Sequence, residues 1–141
     1  EGLRKDVTAR ACCFIKKYDA ERMDKEDPFR STGRAYVQLA KEEPHLYKIF
    51  ILHQREGISS LEDLYRSEAG PHMAGFIAEK CGISIQQAKQ LHLNMLIYTI
   101  GVGAVFSVTV PGISADEIYA QQESAYEAFL DQALSRRVDG R

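Results

Sequence analysis

The run MLIYTIGVGAVFSVTV, residues 95 to 110, carries no charged side chain, and it constrains the fold of this chain more than any other feature. A helix that is apolar on all sides must be covered on all sides. A membrane span needs about 20 apolar residues, but His92 and Asn94 cut this run short and no Lys/Arg cluster flanks it. We therefore expect a buried helix and no association with a membrane.

The β-branched residues and glycines between Ile97 and Val110 would also suit strands. Helix is favoured by the length of the segment and by a capping box upstream, in which Ser84 is followed three residues later by Gln87. We predict a helix over about residues 85–109. A second capping box, Ser114 with Glu117, predicts a last helix over about residues 115–136.

The sequence pattern also predicts helices in the first half of the chain. Apolar residues at positions 3, 7, 11, 14 and 18 predict a first amphipathic helix that ends near Met23. Asp27 followed by Pro28 is a typical helix start and predicts a second helix that runs to Glu43.

The stretch AYVQLAKEEPHLYKIFIL, residues 35 to 52, contains two apolar helical phrases that meet at Pro44 with almost no loop. Proline disfavours helical dihedrals at the preceding residue but is tolerated in a first turn. A third helix should therefore start at Pro44 and cross the second one steeply. Steep crossings leave gaps that parallel helices would fill.

Between residues 59 and 82 we predict a broken helix. Ser59 with Glu62 matches a capping box, Gly70-Pro71 interrupts the pattern, and Gly82 provides a C-terminal stop. The chain is thus expected to be all-α, with about six helices in a single domain over residues 1–141.

Charge and cysteine usage exclude several classes of protein. The net charge is −2 and there is no long basic run, so this chain alone should bind neither nucleic acid nor an anionic membrane. Three cysteines, Cys12, Cys13 and Cys81, do not form an ordinary disulfide framework, which favours a reduced, cytoplasmic setting. We expect all three to be small apolar core residues.

No catalytic or cofactor motif stands out. Glu42 and His45 have the Glu-x-x-His spacing of di-iron bundles, but the motif straddles Pro44 and has no second copy. Gly101-Val102-Gly103 lacks the strand and third glycine of a dinucleotide fingerprint. We therefore predict a protein that is not an enzyme and needs no metal or cofactor.

The two long C-terminal helices are expected to cover each other and a second copy of the chain. Gly101, Gly103 and Ala104 are small enough for close helix approach, and the last helix carries a matching apolar stripe. The two helices could instead pack only within the monomer. The predicted interface of the homodimer consists of Gly101, Val102, Val105, Ile118, Gln122, Ala125 and Phe129.

Three phrases of the sequence resemble the ligand-binding domain of TetR/AcrR transcriptional regulators. AYVQLAKEEPHLYKIFIL resembles the family's helix junction with its Pro-x-Leu-Tyr start. EGLRKDV is similar to the start of the helix that leaves the family's DNA-binding unit, and LHLNMLIYTIGVGAVF is similar to the penultimate helix. The chain departs from the family pattern because the N-terminal helix-turn-helix unit would precede Glu1.

The resemblance implies a TetR-like C-terminal helical bundle whose last two helices form a four-helix dimer interface. It also implies a repressor domain that binds a small apolar or amphipathic effector and reaches DNA only through that N-terminal unit. Aromatic, methionine and polar-tipped side chains suit such a cavity. The candidates are Phe14, Tyr18, Phe50, His53, Tyr65, Met73, Phe76, Met95 and Tyr98.

Two alternatives to a repressor domain remain. One is a stand-alone helical module that binds a ligand without any DNA-binding unit. The other is a metal-carboxylate helical bundle, with Glu42, His45 and His53 as its possible ligands.

Overall fold

A computed structural model of the chain describes residues 2–52, 55–108 and 112–138. Within these ranges it contains seven α helices and no strand, which confirms the all-α prediction. The helices are α1 (Gly2–Arg22), α2 (Pro28–Glu42), α3 (Pro44–Leu52), α4 (Leu61–Glu68), α5 (Met73–Cys81), α6 (Ile85–Val108) and α7 (Ala115–Val138). The expected count of about six becomes seven because residues 69–72 divide the broken helix into α4 and α5.

The start of α6 and the start of α7 are both capped as predicted. The hydroxyl of Ser84 accepts from the amide of Gln87 at 3.1 Å, and the Gln87 side chain accepts from the Ser84 amide at 3.0 Å. Ser114 and Glu117 make the same reciprocal pair at 3.2 and 3.0 Å. Each pair satisfies two amides that the first helical turn leaves without a partner.

The cap of α4 differs from the prediction by one residue. Ser60, rather than Ser59, accepts from the backbone of α4, through the Asp63 amide at 3.1 Å. The Asp63 carboxylate accepts from both the amide and the hydroxyl of Ser59. This register makes three hydrogen bonds, so it prevails over the Ser59 and Glu62 pairing.

The junction of α2 and α3 is a single residue, as the position of Pro44 predicted. Glu43 has φ −130° and ψ 64°, outside the helical region. Its amide still donates to the Leu39 carbonyl at 2.7 Å, and its own carbonyl accepts from the Tyr47 amide at 2.9 Å. The last bond of α2 and the first bond of α3 therefore share one residue, and no loop is needed.

Helix α6 is the centre of the fold and contacts α2, α3, α5 and α7. Two hydrogen bonds fix α7 antiparallel to it. The side-chain amide of Gln87, near the start of α6, donates to the Ala133 carbonyl at 2.9 Å, while Gln122 near the start of α7 donates to Thr99 at 3.4 Å. Most of the buried residues of α6 occupy one face, which packs against these helices; Leu93 is buried on another side.

The opposite face of α6 is apolar and exposed. Ile97, Val105 and Val108 are large hydrophobic residues on the surface, and Gly101 lies between them. By length and composition α6 could also cross a membrane, a test that core helices of soluble proteins pass as well. We name this face, from Ile97 through Gly101 and Val105 to Val108, the outer stripe.

Most of the buried hydrophobic residues in the described part of the chain form two clusters. The C-terminal cluster contains Ala74, Ile77, Ile83, Ala88, Leu91, Met95 and Tyr126. The N-terminal cluster contains Ile15, Tyr18, Ala35, Leu39, Ala40 and Tyr47. In α1 the residues that face the core include Ile15. The sequence pattern predicted that Phe14 would be buried there, but its side chain is 45% exposed. The buried face of α1 is rotated relative to the predicted one because α1 packs against both α2 and α3.

Among the contacts between α3 and α6, that of Tyr47 is the tightest described at a glycine. Tyr47 is almost fully buried, and its hydroxyl donates to the Ile100 carbonyl at 3.2 Å. The hydroxyl occupies the space where a Cβ atom on Gly103 would lie. The glycine predicted to allow close helix approach therefore accepts a side chain of the same monomer.

We expect Gly103→Ala to lower the free energy of unfolding by about 1–3 kcal/mol, because Tyr47 cannot move aside without leaving its hydrogen bond. Gly75→Ala is the matched control, since Gly75 is exposed in α5 and no atom lies within 4 Å of an added Cβ. The control should gain about 0.5–1 kcal/mol from helix propensity. Urea unfolding followed by circular dichroism measures both, and equal stability of the two variants would contradict the Tyr47 contact.

Candidate functional site

A cavity of about 290 Å³ lies between the two core clusters. Met95 and Tyr126 of the C-terminal cluster and Tyr47 of the N-terminal cluster belong to its wall. Its volume is near the lower end of the range for small-molecule sites, about 300–1,000 Å³. The apolar and aromatic part of the wall comprises Met23, Phe29, Tyr36, Tyr47, Phe50, Met73, Met95, Leu96, Ile100 and Tyr126.

The bend at Pro44 positions one side of the cavity. Tyr36 on α2 and Phe50 on α3 stack across the bend with centroids 5.9 Å apart and rings 10° from parallel. A continuous helix would place residues 14 positions apart about 21 Å from each other along its axis. The bend is therefore what makes this aromatic pair, and both rings lie on the cavity wall.

Gln122 provides a polar group in the middle of the fold. Its amide nitrogen donates to the Gly33 carbonyl at 3.2 Å and to the Thr99 hydroxyl at 3.4 Å, linking α7 to α2 and α6. The residue is only 6% exposed, and its amide oxygen is buried without a partner. A buried acceptor left unpaired costs about 1–3 kcal/mol. A donor group on a ligand would be stabilised here.

His92 is a second buried polar residue on the wall. The Tyr65 hydroxyl lies 3.0 Å from its Nδ1 atom, and the rings of Phe29 and Tyr65 contact it edge-on with centroids 5.2 and 5.1 Å away. Burial lowers the pKa of His92 from 6.5 to about 4. The imidazole is therefore neutral near pH 7.

Asp19 places a carboxyl group at the α1 side of the cavity. One of its oxygens is buried without a hydrogen-bond partner. Burial raises the pKa of this carboxyl, and the neighbouring Thr32 hydroxyl opposes the shift. The pKa of Tyr36 is raised to about 12, mainly by burial and then by the negative charges of Asp19 and Glu68.

The structure brings three of the nine predicted ligand residues to the cavity, namely Phe50, Met73 and Met95. Tyr65 contacts His92 through its hydroxyl but does not line the cavity, and Phe76 packs against the C-terminal cluster. The remaining four are Phe14, exposed on α1; Tyr18, in the N-terminal cluster; Tyr98, half-buried and away from the wall; and His53, which lies outside the described residues.

Sequence reasoning missed most of the polar wall. Gln122 was predicted at the dimer interface, and His92 and Thr99 were not selected although each is polar and lies in or beside an apolar run. That contrast is a usable signal, because a buried polar residue in such a helix needs a partner. Asp19 had no comparable signal, since charged residues are common along α1.

The predicted interface residues divide between the two faces of α6 and α7. Gly101 and Val105 belong to the outer stripe, and Val102 is half-buried beside it. The α7 members face the core of their own monomer: Gln122 is buried, Ala125 and Phe129 pack against the C-terminal cluster, and Ile118 is half-buried. The most apolar stripe of α7 is used within the chain because α6 is its nearest apolar surface.

Two of the three candidate metal ligands are engaged elsewhere or exposed, and the third, His53, lies outside the described residues. The Glu42 carboxylate accepts from the Tyr18 hydroxyl at 2.7 Å and from Gln38 at 2.8 Å, and His45 is exposed. In residues 2–52, 55–108 and 112–138 no group of three His, Cys, Asp or Glu side chains is arranged to hold a metal ion. Cys13 is exposed, which corrects its expected place in the core.

We expect the unfolding free energy to fall by about 2 kcal/mol between about pH 7 and about pH 5 through His92 alone. The sign follows from the lowered pKa, because protons bind the unfolded histidine near pH 6.5 and the folded one only near pH 4. His92→Gln should remove this part of the pH dependence in urea titrations. His72→Gln, at an exposed histidine, should retain it, and an unchanged slope in His92→Gln would exclude this role.

Comparison of the chain with protein-family models, curated proteins and solved structures finds no match.

Proposed function

We propose that this chain is the effector-sensing and dimerisation domain of a TetR-like transcriptional repressor in the cytoplasm. It binds a small apolar or amphipathic molecule between its helices. The observation that carries the proposal is the cavity between the two core clusters, at the position where a single continuous core would otherwise form. The link to DNA rests on the sequence resemblance.

The chemistry of the cavity wall supports a small-molecule ligand. Small-molecule sites are mostly apolar and carry a few well-placed polar groups that orient the ligand. Here aromatic, methionine and aliphatic side chains supply about half of the residues of the wall, while His92, Thr99 and Gln122 are buried polar residues within it. An apolar body and one hydrogen-bonding group would match this surface.

The position of α1 supports a sensing role. Asp19 and Met23, at the C-terminal end of α1 and just beyond it, belong to the cavity wall. In the family that the sequence resembles, the corresponding helix connects to the DNA-binding unit. A ligand that contacts Asp19 more favourably in one position of α1 than in another would shift the balance between the two positions.

The outer stripe supports a homodimer. Ile97, Val105 and Val108 expose apolar surface along one face of α6, and Gly101 leaves room for a partner helix. The exposed face of α7 carries the small residues Ala120, Ser124 and Ala128 at four-residue spacing. Two such helix pairs could approach closely and form a four-helix interface.

A simple probe tests the cavity. We expect 1-octanol to bind saturably to the chain in isothermal titration calorimetry, and Leu96→Trp to weaken its affinity roughly tenfold or more because the indole would occupy the cavity. Leu61→Trp introduces the same side chain at a site that is 61% exposed, and it should bind like the parent chain. Equal affinity in Leu96→Trp and the parent would contradict a ligand site in this cavity.

Dimerisation is tested by one charge on the outer stripe. Ile97→Glu should convert a dimer into a monomer in light scattering at micromolar concentration, because burying an unpaired carboxylate in an interface is very costly. Leu61→Glu, an equally polar change on exposed α4, should leave the dimer intact. A monomeric parent chain, or an intact dimer of Ile97→Glu, would exclude this interface.

A further inference from the structure

Within the described residues, two of the three acidic side chains on the cavity wall form ion pairs and one does not. Glu123 is bound by Arg30 at 2.6 Å and faces Arg34 at 4.0 Å, while Glu68 is bound by Arg55. Each of these two acids therefore has a cation beside it. The third acid of the wall, Asp19, has no ion-pair partner in the part of the chain that the structure describes.

Asp19 shares the cavity wall with aromatic side chains. Tyr36 and Phe50 belong to the same wall, and their rings stack on each other. Aromatic faces attract cations, by about 0.5–2 kcal/mol depending on how far the cation is desolvated. A carboxylate without an ion-pair partner among the described residues and two stacked rings on one cavity wall favour a positive charge in the cavity.

We infer that the cavity selects a cationic amphipathic molecule, such as a protonated amine on an apolar body, with its charged end at Asp19 and its apolar end toward Met95 and Leu96. This inference rests on the proposed ligand cavity and adds the class of ligand. The cation would supply a charged partner for Asp19, which has the Thr32 hydroxyl as a neighbour but no cation among the described residues, and whose Oδ1 atom is buried. It would also favour the ionised form of a carboxyl group that burial disfavours.

The arginines of the wall do not favour an anionic ligand. Arg30 holds Glu123, faces Asp27 at 3.7 Å and lies over the ring of Tyr126 at 4.6 Å. Arg34 faces Glu123 and the Tyr119 ring. The Nε atom of Arg30 has no hydrogen-bond partner among the described residues, but an anion there would meet the charges of Glu123 and Asp27. It would also meet the charge of Asp19 on the same wall, so we expect the net electrostatic preference to be for a cation.

Three probes with the same alkyl chain test the inference: octylammonium, 1-octanol and octanoate. We expect octylammonium to bind about tenfold more tightly than 1-octanol in titration calorimetry, since charge-assisted hydrogen bonds are about twice as strong as neutral ones. Octanoate should bind most weakly. Octanol serves as the reference because its binding depends on the apolar wall.

Substitutions of Asp19 separate the charge effect from folding. Asp19→Asn should lower the affinity for octylammonium to about that of 1-octanol for the same variant, and saturable binding of 1-octanol to this variant would show that the cavity is intact. Asp19→Glu should restore much of the preference. Asp6→Asn removes a carboxylate from an exposed site on the same helix and should retain it.

The outcomes distinguish this inference from the proposed function. Equal affinity for octylammonium and 1-octanol in the parent chain would overturn the cationic preference while leaving the cavity as a ligand site. Tighter binding of octanoate, or an unchanged preference in Asp19→Asn, would also overturn it. If none of the three probes binds, the ligand cavity itself is excluded.

Discussion

The contact between the Tyr47 hydroxyl and the backbone of α6 at Gly103 is the constraint on which the rest of the fold depends. It places α3 against α6 at a distance that a side chain at residue 103 would not permit. Because Pro44 leaves one residue between α2 and α3, fixing α3 also fixes the end of α2. The direction in which the chain turns is thus decided by a glycine 56 positions after the tyrosine.

The same constraint divides the core. With α3 turned onto α6, the side chains of α1 to α3 gather around Tyr47, while those of α5 to α7 gather around Met95 and Tyr126. The space between the clusters is lined by both and filled by neither. Gln122, one of the polar residues of the cavity wall, hydrogen-bonds to α2 and α6. A wall that holds such polar groups cannot close into a purely apolar core.

The periodic parts of the sequence were the most predictable. Capping boxes at Ser84 and Ser114 and the helix break at Pro44 act within a few residues, so local physical rules were sufficient to locate them. The cavity was harder to predict. Phe50, Met73 and Met95 lie on its wall, but Phe14 has the same chemistry and is exposed on α1, since helical spacing does not reveal how far a helix rotates on its neighbours.

The sequence by itself determined that the chain is helical and where α2, α3, α6 and α7 start, because hydrogen bonds within a helix and at its caps involve residues close in the chain. Only the tertiary structure decided which side of each helix meets the core. Gln122 faces inward because Gly33 and Thr99 offer it partners from two other helices, and Asp19 reaches the cavity because α1 packs on α2. These are long-range contacts, and their geometry exists only once the helices have packed.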